Sequence, residues 1–244
     1  MKKWRLIVFA VPLLFYSLYT VAATLFIRTT SIGIRKKVRN GNGIVLTFDD
    51  GPNPLYTPKL LDLLAHHTIK AVFFVVGEHA ENNPEIIQRM HEEGHSIGIH
   101  HYKHVSNWRL TPEQTRQQIS RTAEVIKRIT GSEPVFYRPP WGRFNLAAPI
   151  VSRRYETIMW SYILGDWKVR TCKETLAEKL RAIPADGSIV VLHDDGSNPE
   201  ADDKAPAHML SVLESYIQET TENGIRFLSP DELMMSGQGQ SHVH

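Results

Sequence analysis

Short, mostly apolar runs recur along this chain, five of them followed closely by side chains that can do chemistry, and that alternation limits the available folds. The runs are Ile44–Phe48, Ala71–Val76, Ser96–Ile99, Val135–Tyr137, Glu156–Trp160, Ser188–Leu192 and Arg226–Leu228. Their shortness and continuous apolarity suit parallel strands covered on both faces. Helix-length segments separate them. Thr57-Pro58 supplies an N-cap and a first-turn proline ahead of Leu60, Leu61, Leu63 and Leu64, and Thr111-Pro112-Glu113 opens a long helix that stops at Gly131. Further helices are expected from Pro84 to Gly94 and over 146–154, 173–182 and 207–222. Seven strands with helical crossovers and no internal repeat make an α/β fold, either a parallel barrel or a doubly wound sheet.

The reactive residues fall at the strand ends. Asp49-Asp50-Gly51-Pro52 follows the first strand and His100 and His104 follow the third. Arg138-Pro139-Pro140-Trp141-Gly142 follows the fourth, Asp166-Trp167 comes soon after the fifth, and His193-Asp194 follows the sixth. Parallel strands put all their C-terminal ends on one face, the face where α/β barrels carry their active sites.

His-x3-His places two imidazoles on one side of a helical turn, and a carboxylate from another strand completes a three-ligand set of the catalytic zinc type. The spacing alone is weak evidence, since the chain has 12 histidines and His91/His95 shows it too. The Asp-Asp pair strengthens the case: with Asp50 on a cation, Asp49 lies where it can take a proton from water. Read alone, Asp49-Asp50-Gly51-Pro52-Asn53 is also an ordinary turn sequence. Phe73 and Phe74 read as core. Asp194, Asp195, Glu200, Asp202 and Asp203 read as a solvated acidic loop whose charge raises the pKa of His193.

The N-terminus carries the compartment signal. Lys2, Lys3 and Arg5 form a short basic tail (1–5) ahead of an uncharged run over 6–27. Those 22 residues, at about 1.5 Å each, reach across a hydrocarbon core of roughly 30 Å. A cleaved signal peptide, with Val21 and Ala23 near the cut, is the competing reading. A membrane anchor is favoured because the apolar run continues through Ile27. Basic residues in the expected linker, 28–42, outnumber those before the span, so a literal charge count keeps the domain inside; the chemistry favours an extracytoplasmic domain over 43–235. The tail over 236–244, with His242 and His244, is expected to be disordered. A net charge of +2 argues against a nucleic-acid partner. The single Cys172 excludes an internal disulfide or thiolate zinc knuckle. No protein partner is legible.

Taken together, Thr47–Pro52, Gly94–His100 with His104, Arg138–Gly142, Asp166-Trp167 and Ile189–Asp194 resemble, in order, the five motifs of NodB-homology polysaccharide deacetylases, carbohydrate esterase family 4. The resemblance spans roughly 42–232 and implies a distorted (β/α)7 barrel behind the N-terminal transmembrane helix. It also implies that Asp49 is the general base and that Asp50, His100 and His104 are ligands of one divalent metal. His193 is implied as the general acid, with Arg138 pairing the base and Asp166 supporting the acid. The Trp141 N–H becomes an oxyanion donor, and Trp141, Trp167 and Leu192 border the substrate. The family commonly has an acidic residue where this chain has Ile163, so the loop there is expected to differ. Two histidines and a carboxylate suit Zn2+, with Co2+, Ni2+ and Fe2+ accepting similar donors. The implied substrate is an N-acetylated glycan: peptidoglycan, a chitin-like chain or an exopolysaccharide. The alternative is a silent glycan-binding protein on the same barrel, which would need neither base nor acid.

Overall fold

The computed structural model describes residues 11–238. The tail at 1–5, residues 6–10 of the expected span, and residues 239–244 with His242 and His244 lie outside the described residues. Seven parallel strands form one curled sheet: β1 Ile44–Asp49, β2 Val72–Val75, β3 Ser96–Ile99, β4 Phe136–Tyr137, β5 Glu156–Thr157, β6 Tyr162–Ile163 and β7 Ser188–His193. Their order is β5-β4-β3-β2-β1-β7-β6. The two edge strands do not pair, so the curl is an open barrel. Chain from the expected linker occupies the opening: Arg35 bridges Ile158 and Lys37 bridges Ser188, and Val38 is buried. The stretch over 28–42 is thus partly built into the domain.

The seventh strand also differs from expectation. It is Tyr162–Ile163 beside β7, whereas Phe227 makes only an isolated bridge to Ile44. Leu228 N–H donates to the Ile44 carbonyl, so this run still closes the sheet's lower end.

The helices are α1 Val11–Thr30, α2 Thr57–His66, α3 Gly77–Asn82, α4 Pro84–Glu92, α5 Pro112–Thr130, α6 Ala148–Val151, α7 Val169–Glu174, α8 Leu176–Arg181, α9 Ala205–Glu222 and α10 Pro230–Gln238. Helix α1 contains a π-helical turn over Leu18–Ala22. Helix α5 begins in a capping box between Thr111 and Gln114 and ends on Gly131 at φ 74°, where a residue without Cβ takes the left-handed bend at little cost.

Two apolar layers follow from strand parity. In β1, Ile44, Leu46 and Phe48 face the helices, while Val45 faces the inside of the curl with Phe74, Phe136 and Ile189. The inward positions nearest the C-terminal ends become polar: Thr47 and Asp49 on β1, and His193 on β7. The core therefore gives way to a polar rim at the C-terminal ends of β1 and β7, where Asp49 stands level with Phe74 on one side and His193 on the other. Gly98 on β3 is required by closeness, because a Cβ there would sit 2.7 Å from the Phe74 ring.

Candidate active site

Asp49 ends β1 directly opposite His193, which ends β7. Asp50 follows in the left-handed region at φ 80°, which swings its carboxylate toward β3. His100 comes straight off β3, and its N–H donates to the Val75 carbonyl. Its Nδ1 lies 2.8 Å from the Arg138 carbonyl; because that oxygen can only accept, Nδ1 carries the proton and Nε2 presents a lone pair. His100 Nε2 and His104 Nε2 lie 3.3 and 3.2 Å from the same atom, Asp50 Oδ1. That oxygen is buried and has no hydrogen-bond partner among the described residues. The other, Oδ2, accepts from Asn198 Nδ2 at 2.7 Å.

This donor set fits a cation. The three ligand atoms lie within 4.8 Å of one another, and two imidazoles with one carboxylate match a three-protein-ligand site. An unpartnered buried carboxylate oxygen is costly unless a positive charge faces it. Burial pushes the Asp50 carboxyl upward, but the surrounding imidazoles of His104, His100 and His193 hold it below the usual carboxylate range. Burial depresses His104 to about 4, leaving its ring neutral and able to donate a lone pair.

Arg138 stands behind Asp49, wholly buried. Its Nη1 donates to Asp49 Oδ1 at 2.6 Å and to Thr47 Oγ1 at 2.8 Å; Nε and Nη2 donate to the Ile158 and Met159 carbonyls. The guanidinium also lies 4.0 Å from the Phe74 ring centre. A charge so enclosed is tolerated only because nearly every N–H has an acceptor.

A second pair mirrors the first. Asp166 accepts from the His193 backbone N–H at 2.7 Å, and its other oxygen lies 3.1 Å from His193 Nδ1. Burial opposes the imidazolium, yet Asp166, with Asp50 and Asp49 adding, raises His193 to about 10. Trp167 packs edge-on to His193 at 5.2 Å.

The structure gathers Asp49, Asp50, His100, His104, Trp141, Trp167 and His193 around one pocket, with Arg138 and Asp166 directly behind it. Leu192 is not brought to it. It packs into the outer core, and Val191 lines the pocket in its place. A strand buried on both faces has no polar alternation to reveal its parity, so the sequence does not show which of Val191 and Leu192 points inward. The pair His91/His95 forms no such site: His91 is exposed and His95 Nδ1 accepts from the Ala71 N–H inside the core.

The acidic loop is also unlike its expectation. Asp194 and Asp195 are buried. Asp194 accepts from Thr57 Oγ1 at 2.5 Å and from the Gly51 N–H. Gly51 is required here, since a Cβ would meet Asp194 Oδ2 at 2.2 Å. Glu200 lines the pocket and accepts from Trp141 Nε1 at 3.0 Å. Asn198, Glu200 and Trp160 are pocket residues the sequence reading did not include; only the loop's position after a site-bearing strand pointed to the first two. Ile163, at the position where an acidic residue was expected, presents an apolar side chain to the pocket.

Comparison with known proteins agrees with this architecture. A peptidoglycan-N-acetylglucosamine deacetylase of Bacillus cereus is 34% identical over 188 residues, covering 76% of this chain and 66% of its own length. The deacetylase PgdA of Listeria monocytogenes is 32% identical over 203 residues, 81% of this chain and 40% of its own. The chain thus spans between two fifths and two thirds of these curated relatives. The crystal structure of a peptidoglycan N-acetylglucosamine deacetylase bound to 4-naphthalen-1-yl-N-oxidanyl-benzamide superposes with a TM-score of 0.73 at 29% identity, covering 84% of this chain and 94% of that one. Residues 36–157 match the polysaccharide deacetylase family profile. With these matches and the seven-stranded parallel sheet, the chain belongs to the polysaccharide deacetylase family.

Proposed function

We propose that this chain is a metal-dependent hydrolase that removes N-acetyl groups from an amino-sugar polysaccharide, with peptidoglycan the foremost substrate, acting outside the cytoplasm from an N-terminal membrane anchor. The single observation that carries the reading is the meeting of Asp50 Oδ1 with two imidazole Nε2 atoms beside the in-register pair Asp49 and His193. The names of the relatives support the substrate class. One relative's ligand is an N-hydroxyamide, a group whose two oxygens chelate cations, and this supports metal dependence.

Asp50, His100 and His104 hold the ion, for which Zn2+ is the natural occupant and Co2+, Ni2+ or Fe2+ are alternatives. A divalent cation there supplies a lowered pKa for water and polarisation of the amide oxygen. Asp49 takes the proton from the attacking water through Oδ2 while Arg138 holds Oδ1 in place. The Trp141 N–H, in a left-handed bend at φ 56°, donates to the oxygen as it gains charge. His193 Nε2 gives a proton to the departing nitrogen, while its Nδ1–H donates to Asp166, which fixes the ring and favours its protonated form. Trp141 and Trp167 form the walls around the acetyl group.

The test is acetate release by the full chain from peptidoglycan, chitin oligomers and an acetylated exopolysaccharide, before and after chelation. We expect release from at least one polymer, loss on chelation and recovery with Zn2+. Release unaffected by exhaustive metal removal overturns the metal-dependent reading, and absence of release from every polymer in the metal-loaded protein favours the silent binding protein.

A further inference from the structure

Helix α1 is long and apolar enough to cross a membrane by length and composition, over Val11–Thr30. Its second half, however, is bound to the catalytic domain. Thr20, Ala23, Thr24 and Ile27 form a buried stripe at helical spacing, and Ile27 packs with Phe144, Ala148 and Met159. Thr24 Oγ1 donates to the Phe144 carbonyl and accepts from both the Phe144 N–H and Trp108 Nε1. At the π-helical turn the Tyr19 carbonyl accepts from the Leu146 N–H, and the Tyr19 hydroxyl donates to the Leu110 carbonyl.

Of the uncharged run over 6–27, only 13 residues precede Tyr19, the first to bond to the domain, and 13 residues at about 1.5 Å each amount to about 20 Å, short of a hydrocarbon core of roughly 30 Å. A membrane-spanning helix must therefore use docked residues too, and the part of the domain beside them has to share their depth. The surface there is suited to that. On α1, Leu25 and Phe26 are 60% and 58% exposed; on the domain, Leu146 and Ile150 are 57% and 66% exposed. Leu146 is the residue whose N–H donates to the Tyr19 carbonyl, so this exposed apolar side chain belongs to the segment that holds the helix. Arg116, Arg153 and Arg154 line the groove around Ile150, and Arg28 follows at the helix end, a pattern that suits anionic headgroups.

We propose that Leu25, Phe26, Leu146 and Ile150 are bedded in the interfacial layer of an anionic phospholipid bilayer, which holds the catalytic cleft at the membrane surface. This rests on the anchored-deacetylase reading above. The cleft is one residue from the docked helix: Arg28 lies 5.6 Å from the ring of Trp160, which lines the pocket. The substrate so favoured is the membrane-proximal portion of a glycan. Soluble chains that diffuse far from lipid are reached less readily.

Single cysteines at Leu14→Cys, Phe26→Cys, Leu146→Cys, Ile150→Cys and, on an exposed distant surface, Lys59→Cys test this in the full chain. Native Cys172 is buried with its thiol pushed up to about 12 by burial, so the introduced thiols label selectively. Each carries an environment-sensitive fluorophore in vesicles of phosphatidylcholine and phosphatidylglycerol containing nitroxide lipids spin-labelled at the headgroup and along the acyl chain. We expect labels at 14, 26, 146 and 150 to be quenched at least threefold more than the label at 59. Quenching at 14 with 146 and 150 matching 59 overturns the bedded face while leaving the anchor standing. No quenching at 14 overturns the anchor and the bedded face together. Labels at 146 and 150 shielded from both lipid and aqueous quenchers mark a protein partner or second copy as the occupant and overturn the bilayer.

Discussion

Asp49 and Asp194 are near neighbours, since the Asp194 N–H donates to the Asp49 carbonyl, yet their side chains have opposite surroundings. Asp49 faces the buried guanidinium of Arg138, and across the rim Asp166 faces the imidazole of His193 in a similar way. Asp194, behind Gly51, has only the neutral donors Thr57 Oγ1 and the Gly51 N–H. Burial, with Asp195 and Asp50 adding, raises its carboxyl to about 7. A basic side chain therefore stands beside both Asp49 and Asp166, and none beside the carboxylate that braces the β1 and β7 loops. The kind of cation separates the first two roles. Arginine does not release its proton at working pH, so Arg138 can only hold Asp49; histidine can, so Asp166–His193 can serve as a proton donor.

Breaking the first pair has the largest expected effect. Asp49→Asn keeps the shape, removes the proposed base and leaves Arg138 facing a neutral amide. General base catalysis is worth about 10²–10⁴-fold, so acetate release should fall by roughly 1000-fold. Metal content, measured by elemental analysis, should stay near one ion per chain, because Asp50, His100 and His104 are untouched. Loss of one partner of a buried ion pair costs about 3–5 kcal/mol, so thermal stability should drop as well. Undiminished turnover in this variant would remove Asp49 as base.

The second pair predicts a smaller effect with a pH signature. Asp166→Asn withdraws the carboxylate that raises His193 against its burial. The ring then loses its proton at lower pH, and the alkaline limb of kcat should move downward. At pH 8 we expect about a 10–100-fold loss, shrinking toward pH 6. Stability gives an independent readout. A histidine whose folded pKa is raised contributes stability that is fully present below its unfolded pKa of about 6.5 and is lost as pH rises through about 10. With chelator present throughout, the variant should be most destabilised below pH 6.5 and converge with the parent above pH 10. An unmoved alkaline limb would separate Asp166 from the acid.

The contrast between the two pairs and Asp194 also marks how much of the molecule the sequence could tell. Strands β1, β3 and β7 end within one residue of expectation, because each is an apolar run stopped by a charged or imidazole side chain. The convergence of Asp49, Asp50, His100, His104 and His193 was legible for the same reason: a parallel sheet delivers whatever follows its strands to one rim. Strand β6 was not, because a two-residue strand is defined by its pairing with β7 and leaves no periodicity. The inward position of Val191 was hidden by a strand apolar on both sides. Asn198 and Glu200 depend on how an irregular loop crosses the rim to meet Asp50 and Trp141, which no local pattern encodes. The burial of Asp194 is not legible because an acidic run normally stays in water, and its neutral partners come from residues 51 and 57, over a hundred positions away.

Asp194 offers the smallest and sharpest test. Because its folded carboxyl titrates higher than an unfolded one, near 3.9, the folded state holds a proton that the unfolded state has given up between those values. Folding stability from this group therefore declines as pH rises from about 4 to 7 and is flat above. Asp194→Asn mimics the protonated side chain: its carbonyl can accept from the Gly51 N–H and its amide can donate to Thr57 Oγ1. In detergent and chelator, the variant should match the parent near pH 4 and gain on it through pH 7, reaching a Tm several degrees higher at pH 8, where about 2–4 °C corresponds to 1 kcal/mol in a chain of this size. A Tm difference that stays constant from pH 4 to 8 would mean that Asp194 is ionised throughout, and the distinction between carboxylates with and without a cation would then lose its basis.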